Sequence, residues 1–323
     1  MRRISLTLAF FLTTFVGTTN IKAQEYPSRT IRIIVPSGPG GTLDVIARIV
    51  GQELHDSLKV PVIVDNRPGA NGIIALTYGA RAAPDGYTIT MATTGSFVMN
   101  FVARKSPPFH PVNDFIPVSL VAESDYILLV HPSVPVKNLK EFIALAKSKP
   151  TEISYSSFGP GSVSHVIMES FALATGIKML HVPYKSGPDA LQGVVAGQVQ
   201  ASFDTPLIAI SHVRDNRLRA LAIGSTKRSA IAPEIPTFAE AGLPGFSARA
   251  WFGWFVPSNT PAEITRKLQT EIAQALANPV LHSNLEKLGL TDIGGTPEQL
   301  SAQIKADIKL YGQVARETNI HLD

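Results

Sequence analysis

Two glycine-bearing segments carry the residues best suited to holding a ligand. Pro36-Ser37-Gly38-Pro39-Gly40-Gly41-Thr42 follows the β-branched run Ile31–Val35, and Ser157-Phe158-Gly159-Pro160-Gly161-Ser162-Val163-Ser164 follows a second short apolar run. Each sits between a predicted strand and a predicted helix. Glycines let backbone N–H groups approach a ligand, and a helix start favours negative charge. The first segment lacks the Gly-Lys-Ser/Thr of a nucleotide phosphate loop and does not match Gly-x-Gly-x-x-Gly. A carboxylate therefore fits better than a nucleotide. The alternative is a tight turn with Thr42 as helix cap.

Other residues point to the same rim. Asp204-Thr205-Pro206 ends a predicted strand at Ala201–Phe203, so Asp204 reads either as an acceptor for a ligand ammonium or hydroxyl or as the cap of the next helix. As an acceptor it predicts a preference for ligands with an amino or hydroxyl group near the carboxylate. Thr93, Thr94 and Ser96 offer hydroxyls after another strand. Trp251, Phe252 and Trp254 read as strand core that could line a pocket. Ser162 and His165 invite a hydrolase reading, with His165 otherwise a helix residue donating a structural hydrogen bond. Nucleophilic catalysis would also need an orienting acid and an oxyanion hole, and no Gly-x-Ser-x-Gly elbow is present. The chain has no cysteine, and its eight histidines are scattered without metal-ligand spacing. No metal and no cofactor are expected.

The elements that must position these loops follow a regular alternation. Strands at Ile31–Val35, Val62–Asn66 and Thr88–Ala92 flank helices at Leu43–Leu58 and Ile73–Ala82. A second series alternates strands at Ile127–Val130, Ile153–Ser156, Met179–Val182, Ala201–Phe203 and Ala220–Ile223 with helices at Leu139–Lys149, Val163–Thr175 and Pro188–Ala196. This rhythm predicts an α/β protein with two mostly parallel sheets, helices on both faces and a cleft between them. Ligands of such sheets bind at the carboxyl ends of the strands. Arg249–Val256 is an aromatic-rich strand followed by helices at Ala262–Asn278 and Pro297–Thr318. Thr260-Pro261-Ala262-Glu263 and Thr296-Pro297-Glu298-Gln299 predict capping boxes at their starts. Two long helices without a new sheet must pack on the first domain. The expected organisation is residues 24–123 with 243–323 as one discontinuous domain, and 124–242 as the other.

Composition agrees. The chain has 323 residues, 45% hydrophobic and 17% charged, enough for two cores. Arg2, Arg3 and the apolar run Ile4–Val16 predict a secretory signal over residues 1–23, too short for a membrane span. Loss of its three cations lowers the formal charge from +4 to +1, which leaves no electrostatic footprint for nucleic acid. A periplasmic location follows.

The motifs together resemble one family. Val35-Pro36, Pro39-Gly40-Gly41, Asp44, Arg48, Asn66-Arg67-Pro68-Gly69-Ala70, Pro84-Asp85-Gly86-Tyr87-Thr88, Asp114-Phe115-x-Pro117-Val118, Tyr155-x-Ser157-x-Gly159-x-Gly161-Ser162-x-x-His165, His181-Val182-Pro183-Tyr184-Lys185, Arg219-Ala220-Leu221-Ala222, Pro236-Thr237-x-x-Glu240-Ala241-Gly242 and Trp251-Phe252-Gly253 resemble, in order, the receptors of tripartite tricarboxylate transporters, the Bug-type solute-binding proteins. The resemblance implies a type II periplasmic-binding (Venus flytrap) fold. It also implies no enzymatic activity and delivery of a small carboxylate to a membrane permease, by a monomer. It points to Ser37, Gly40, Gly41, Thr42 and Asp44 in one domain and to Phe158, Gly161, Ser162 and Asp204 in the other. Ser37-Gly38, Asn71 and Ser186 depart from the usual pattern near the cleft, so no relative's substrate transfers directly. A sensor subunit signalling to a membrane partner would use the same clamp.

Overall fold

A computed structural model describes residues 26–291 and 293–322. The predicted signal segment lies outside the described residues.

The first β-branched run forms β1 (Ile31–Val35). It is followed by α1 (Thr42–Leu58), β2 (Val62–Asn66), α2 (Ile73–Ala80) and β3 (Thr88–Thr93). A π-type turn at Thr94–Met99 leads into the short α3 (Asn100–Val102), and β4 (Phe115–Asp125) leaves this half. In α1, Ile46, Val50 and Leu54 recur on one face and are fully buried against the sheet. Burial of each such side chain contributes about 1.5–3 kcal/mol. The opposite face of the sheet is covered by α2, the π-type turn and the C-terminal helix, around Phe97, Phe115, Trp251 and Phe255.

The second half holds β5 (Ile127–Val130), α4 (Leu139–Ser148), β6 (Ser154–Ser157), α5 (Val163–Thr175), β7 (Leu180–Pro183), α6 (Gly187–Val195), β8 (Ala201–Asp204), α7 (Pro206–Arg214) and β9 (Arg219–Ile223). The chain then returns through β10 (Arg249–Pro257), α8 (Ala262–Ala277), α9 (Pro279–Lys287), β11 (Leu290–Thr291) and α10 (Pro297–Glu317). Two sheets result, ordered β11-β4-β10-β3-β1-β2 and β7-β6-β8-β5-β9. We call the bodies built on them the first and second lobes.

The sheets are mixed where the alternation predicted mostly parallel ones. Among the described strands, only β1 with β2 and β3, and β6 with β7 and β8, pair in parallel. β10 enters from the second lobe in the opposite sense, and β5 lies antiparallel to β8 and β9. The eleven-residue β4 was not read from sequence, because Pro117 and its polar positions break the apolar alternation.

Both crossings between sheets lie side by side. Tyr126 N donates to Ala248 O (2.6 Å) and Gly224 N to Tyr126 O (2.9 Å). A Cβ at Gly224 would fall 2.1 Å from Ala248 O, so only glycine lets these strands touch. Arg249 clamps the pair by bridging Asp125 (2.7 Å) and Glu123 (2.9 Å).

The two predicted capping boxes diverge. At α10, Gln299 N donates to Thr296 Oγ1 and Thr296 N to Gln299 Oε1. At α8 the box is absent: Thr260 Oγ1 turns back to Pro257 O (2.7 Å), and Pro261 caps the helix without a side-chain bond. That helix also stops at Ala277, since Pro279 has no N–H to continue it, and Asn278 instead accepts from Val280 N to start α9.

Candidate ligand-binding site

The β1–α1 loop is braced by Asp44. Its carboxylate accepts from Gly40 N (3.0 Å), Arg48 Nε (3.0 Å) and Asn66 Nδ2 (3.0 Å), and Asn66 Nδ2 also reaches Ser37 O. Burial opposes the charge on Asp44, but the hydrogen bonds from Arg48, Gly40 and Asn66 outweigh it and hold the carboxyl below its ordinary value. Asp44 and the Gly40 N–H are thereby committed to the loop. Gly40 takes φ +81° with nothing within 4 Å of a Cβ, so its backbone conformation, rather than space, requires glycine. Gly41 caps α1 in extended conformation and gives the helix no side-chain cap. The first-turn amides of α1 stay available, and Ser37 Oγ beside them is buried without a partner.

The β6–α5 loop is braced by its own side chains. Phe158 N donates to Ser164 Oγ (3.1 Å), Gly159 N to Ser157 Oγ (3.1 Å) and Gly161 N to His165 Nδ1 (3.0 Å). Ser162 caps α5 without a side-chain bond to the helix. The half-buried Phe158 ring packs against Gly187 at the start of α6.

His165 accepts a structural hydrogen bond where the sequence suggested a donor. Its ring stacks on His181 at 3.9 Å between centroids and 9° between planes. Burial, and then the neighbouring His181, lower its pKa to about 3; burial lowers His181 to about 4. Both rings are neutral near pH 7. With Nδ1 taken by Gly161 and Ser162 Oγ facing Ser164 Oγ (3.3 Å), Ser162 and His165 do not form a nucleophile–base couple.

The loops of the two lobes meet. Thr42 Oγ1, in the first turn of α1, lies 3.0 Å from Thr205 Oγ1, the N-cap of α7. A Cβ on Gly95, in the π-type turn, would fall 2.3 Å from Val163 N at the start of α5. A Cβ on Gly161 would meet Asn71 Nδ2 at 3.2 Å and Leu322 at 2.6 Å. Gly95 and Leu322 were invisible as site neighbours in the sequence, because both act by close approach of segments far apart in the chain. In the sequence Asn71 shows only as a departure from the family pattern.

Helices α1, α5 and α7 begin at this junction without side-chain caps, as α2, α3 and α8 also do, whereas α4, α6, α9 and α10 carry Asn or Ser/Thr caps. Uncapped N-termini leave donors for another acceptor. Asp204, at the end of β8, is fully buried; its Oδ1 accepts from Thr205 N (2.7 Å) and its Oδ2 has no partner. Thr93 is occupied locally, exchanging a capping box with Ser96, and Thr94 is buried. Trp251, Phe252 and Trp254 are strand core, with Trp251 Nε1 donating to Asp307 (2.7 Å). A surface groove of about 1070 Å³, lined by Arg29, Arg32, Tyr78 and Arg81 among others, contains none of the loop residues above.

The chain matches the tripartite tricarboxylate transporter family receptor over residues 46–320. The chain belongs to that family. It is 34% identical to protein BugT of Bordetella pertussis over 323 residues, all of this chain and 99% of that one. A solved R. palustris protein with adipate is 31% identical and superposes with a TM-score of 0.87, covering 92% of this chain and 99% of that chain. MatC from Rhodopseudomonas palustris, with bound malate, is 31% identical with a TM-score of 0.83, covering 90% and 99%.

The two lobes are therefore a two-domain periplasmic-binding-protein fold, and the tripartite tricarboxylate transporter receptors are solute-binding proteins, not enzymes. Among the described residues no helix is long and apolar enough to cross a membrane, and no group of three or more His, Asp or Glu side chains is arranged to hold a metal.

Proposed function

We propose that this receptor captures a small carboxylate solute between its lobes in the periplasm and hands it to a membrane permease of the tripartite type. One observation carries the reading. The uncapped starts of α1 and α7 touch across the lobes at Thr42 and Thr205, with the start of α5 pressed against Gly95 beside them. Amide donors from opposite lobes suit a single acid group, and each hydrogen bond to a charged acceptor is worth about 1.5–3 kcal/mol. The adipate and malate held by the two R. palustris relatives belong to the same ligand class.

In this reading Gly41 and Thr42 present backbone donors and Ser37 and Ser162 hydroxyls, Asp44 and Gly40 hold the first loop in shape, and the Gly161 and Ser162 N–H groups, bonded to His165 Nδ1 and Gly159 O, hold the second. Thr93 and Thr94 support the rim, Phe158 walls the second loop, and Asp204 lies behind Thr205. The domains run from 24 to 123 with 243 to 323, and from 124 to 242, joined by the paired crossings at Tyr126 and Ala248 and cleaved from a signal segment at residues 1–23. The receptor acts as a monomer.

A thermal-shift screen over mono-, di- and tricarboxylates, with the matching amides as controls, tests it. A ligand at a hundred times its Kd adds about 2.7 kcal/mol of stability. Stabilisation by acids but not amides is the expected result; no response to any acid, or equal response to the amides, would refute it.

A further inference from the structure

Gly161 is the point at which the second lobe's ligand loop rests on two side chains of the first lobe. It takes φ +72°, and a Cβ there would fall 2.6 Å and 3.0 Å from the two Leu322 methyl carbons and 3.2 Å from Asn71 Nδ2. The loop side of this contact is fixed: Gly161 N donates to His165 Nδ1 (3.0 Å) and Ser162 N to Gly159 O (3.1 Å).

The two first-lobe side chains are anchored from behind. Asn71 stands in the turn before α2 at φ +53°, a left-handed conformation that asparagine adopts more readily than most residues. Its carbonyl accepts from Nδ2 of the fully buried Asn100 (2.9 Å), and its own Nδ2 donates to Gly95 O (3.2 Å). That side chain ties the turn before α2 to the π-type turn. Leu322 N, in the segment after α10, donates to Ala103 O (3.0 Å), and Ile320 before it is buried in the core around Phe97 and Trp251. The contact continues along α5, where Val163 N lies against Gly95 and Val166 joins that same first-lobe core. Hydrogen bonds fade beyond about 3.5 Å, so a loop displaced by about 1 Å no longer serves an acceptor held by the opposite lobe.

Resting on the reading above of a carboxylate held between the lobes, we infer that Leu322 and Asn71 are positioning residues for capture: they seat Gly161 and thereby set the start of α5 where it and the start of α1 reach one acid group. Neither side chain touches the ligand in this role. Leu322 supplies an apolar stop and Asn71 a polar one, and glycine at 161 brings no side chain to collide with either.

The test is a double-mutant cycle of Gly161→Ala and Leu322→Ala, read by calorimetry and by stopped-flow ligand release, with adipate, malate and citrate as probes. Gly161→Ala alone weakens binding about tenfold or more, because its methyl group meets Leu322. Leu322→Ala alone weakens binding about threefold, through faster release, and Leu322→Met restores it to within about twofold. In the double variant the methyl group enters the space left by the leucine, and affinity returns to within about twofold of Leu322→Ala. The strain of alanine at φ +72° is common to both backgrounds and cancels from the cycle. Asn71→Gly, which keeps the left-handed turn and removes the amide, weakens binding about threefold. Additive losses, with no recovery in the double variant, overturn the inference and leave the receptor reading intact. Should Gly161→Ala not fold, wild-type affinity and release in both Leu322→Ala and Asn71→Gly overturn it equally. Failure of the wild-type protein to bind any of the probes overturns both.

Discussion

Thr42 Oγ1 and Thr205 Oγ1 stand 3.0 Å apart although 163 residues separate them, and both are buried. One hydroxyl belongs to the first turn of α1 in the first lobe, the other caps α7 in the second. This contact exists only while the lobes are together. Thr205→Val removes it without changing side-chain shape. A hydrogen bond contributes about 0.5–1.5 kcal/mol net, so ligand affinity should fall about two- to tenfold in calorimetry while the unfolding midpoint of the ligand-free protein stays put. Unchanged affinity would show that the pair does not help closure.

Gly95 sharpens the same point. An added methyl group would lie 2.3 Å from Val163 N and 2.8 Å from Ser162 C, both backbone atoms of the other lobe. Gly95→Ala should therefore cost affinity at least tenfold, by opposing closure, yet leave each lobe's own stability within about 1 kcal/mol. Loss of folding rather than of binding would place the strain inside the first lobe.

Asp44 predicts an acid limit. Its folded pKa is lowered, so the stability it contributes is fully present above the unfolded value near 4 and is lost as pH falls through the lower folded value. Asp44→Asn should destabilise the protein at pH 7 and shrink that acid loss in urea titrations below pH 4. It should also weaken ligand binding, because Gly40 N and Arg48 lose their shared acceptor.

The histidine stack predicts a second, higher window. His165 and His181 have pKa values lowered to about 3 and about 4 by burial, with His181 adding to the effect on His165. The unfolded chain binds protons that the folded one refuses, so stability is complete above about pH 6.5 and declines as pH falls from there toward 3. His165→Leu leaves Gly161 N without its acceptor. It should cost roughly 1–3 kcal/mol at pH 7 and flatten the slope of stability between pH 6.5 and 4. An unchanged slope would mean that His165 is protonated in the folded state.

What the sequence revealed and what it hid follow from the range of each interaction. Strands and helix starts are local, and β1, β2 and α5 begin and end where the apolar periods and glycines put them. The loops were legible because glycine between a strand and a helix has few other uses. The role of Asp44 was not, since its partners Gly40, Arg48 and Asn66 assemble only on folding. Thr260 had the residue types of a capping box, yet its hydroxyl found the nearer Pro257 carbonyl. Gly95 and Leu322 reach the site through contacts between lobes, which no local pattern encodes.

Amide proton shifts give the most direct test of a two-lobed grip. Deuterated, 15N-labelled protein is titrated with the acid that stabilises it most in the thermal screen, and the amides of Thr42, Leu43, Val163 and Ser164 are followed together. Downfield movement at both helix starts, along one binding curve and absent with the corresponding amide compound, is the result expected here. Movement confined to one lobe, or none at either, would contradict it.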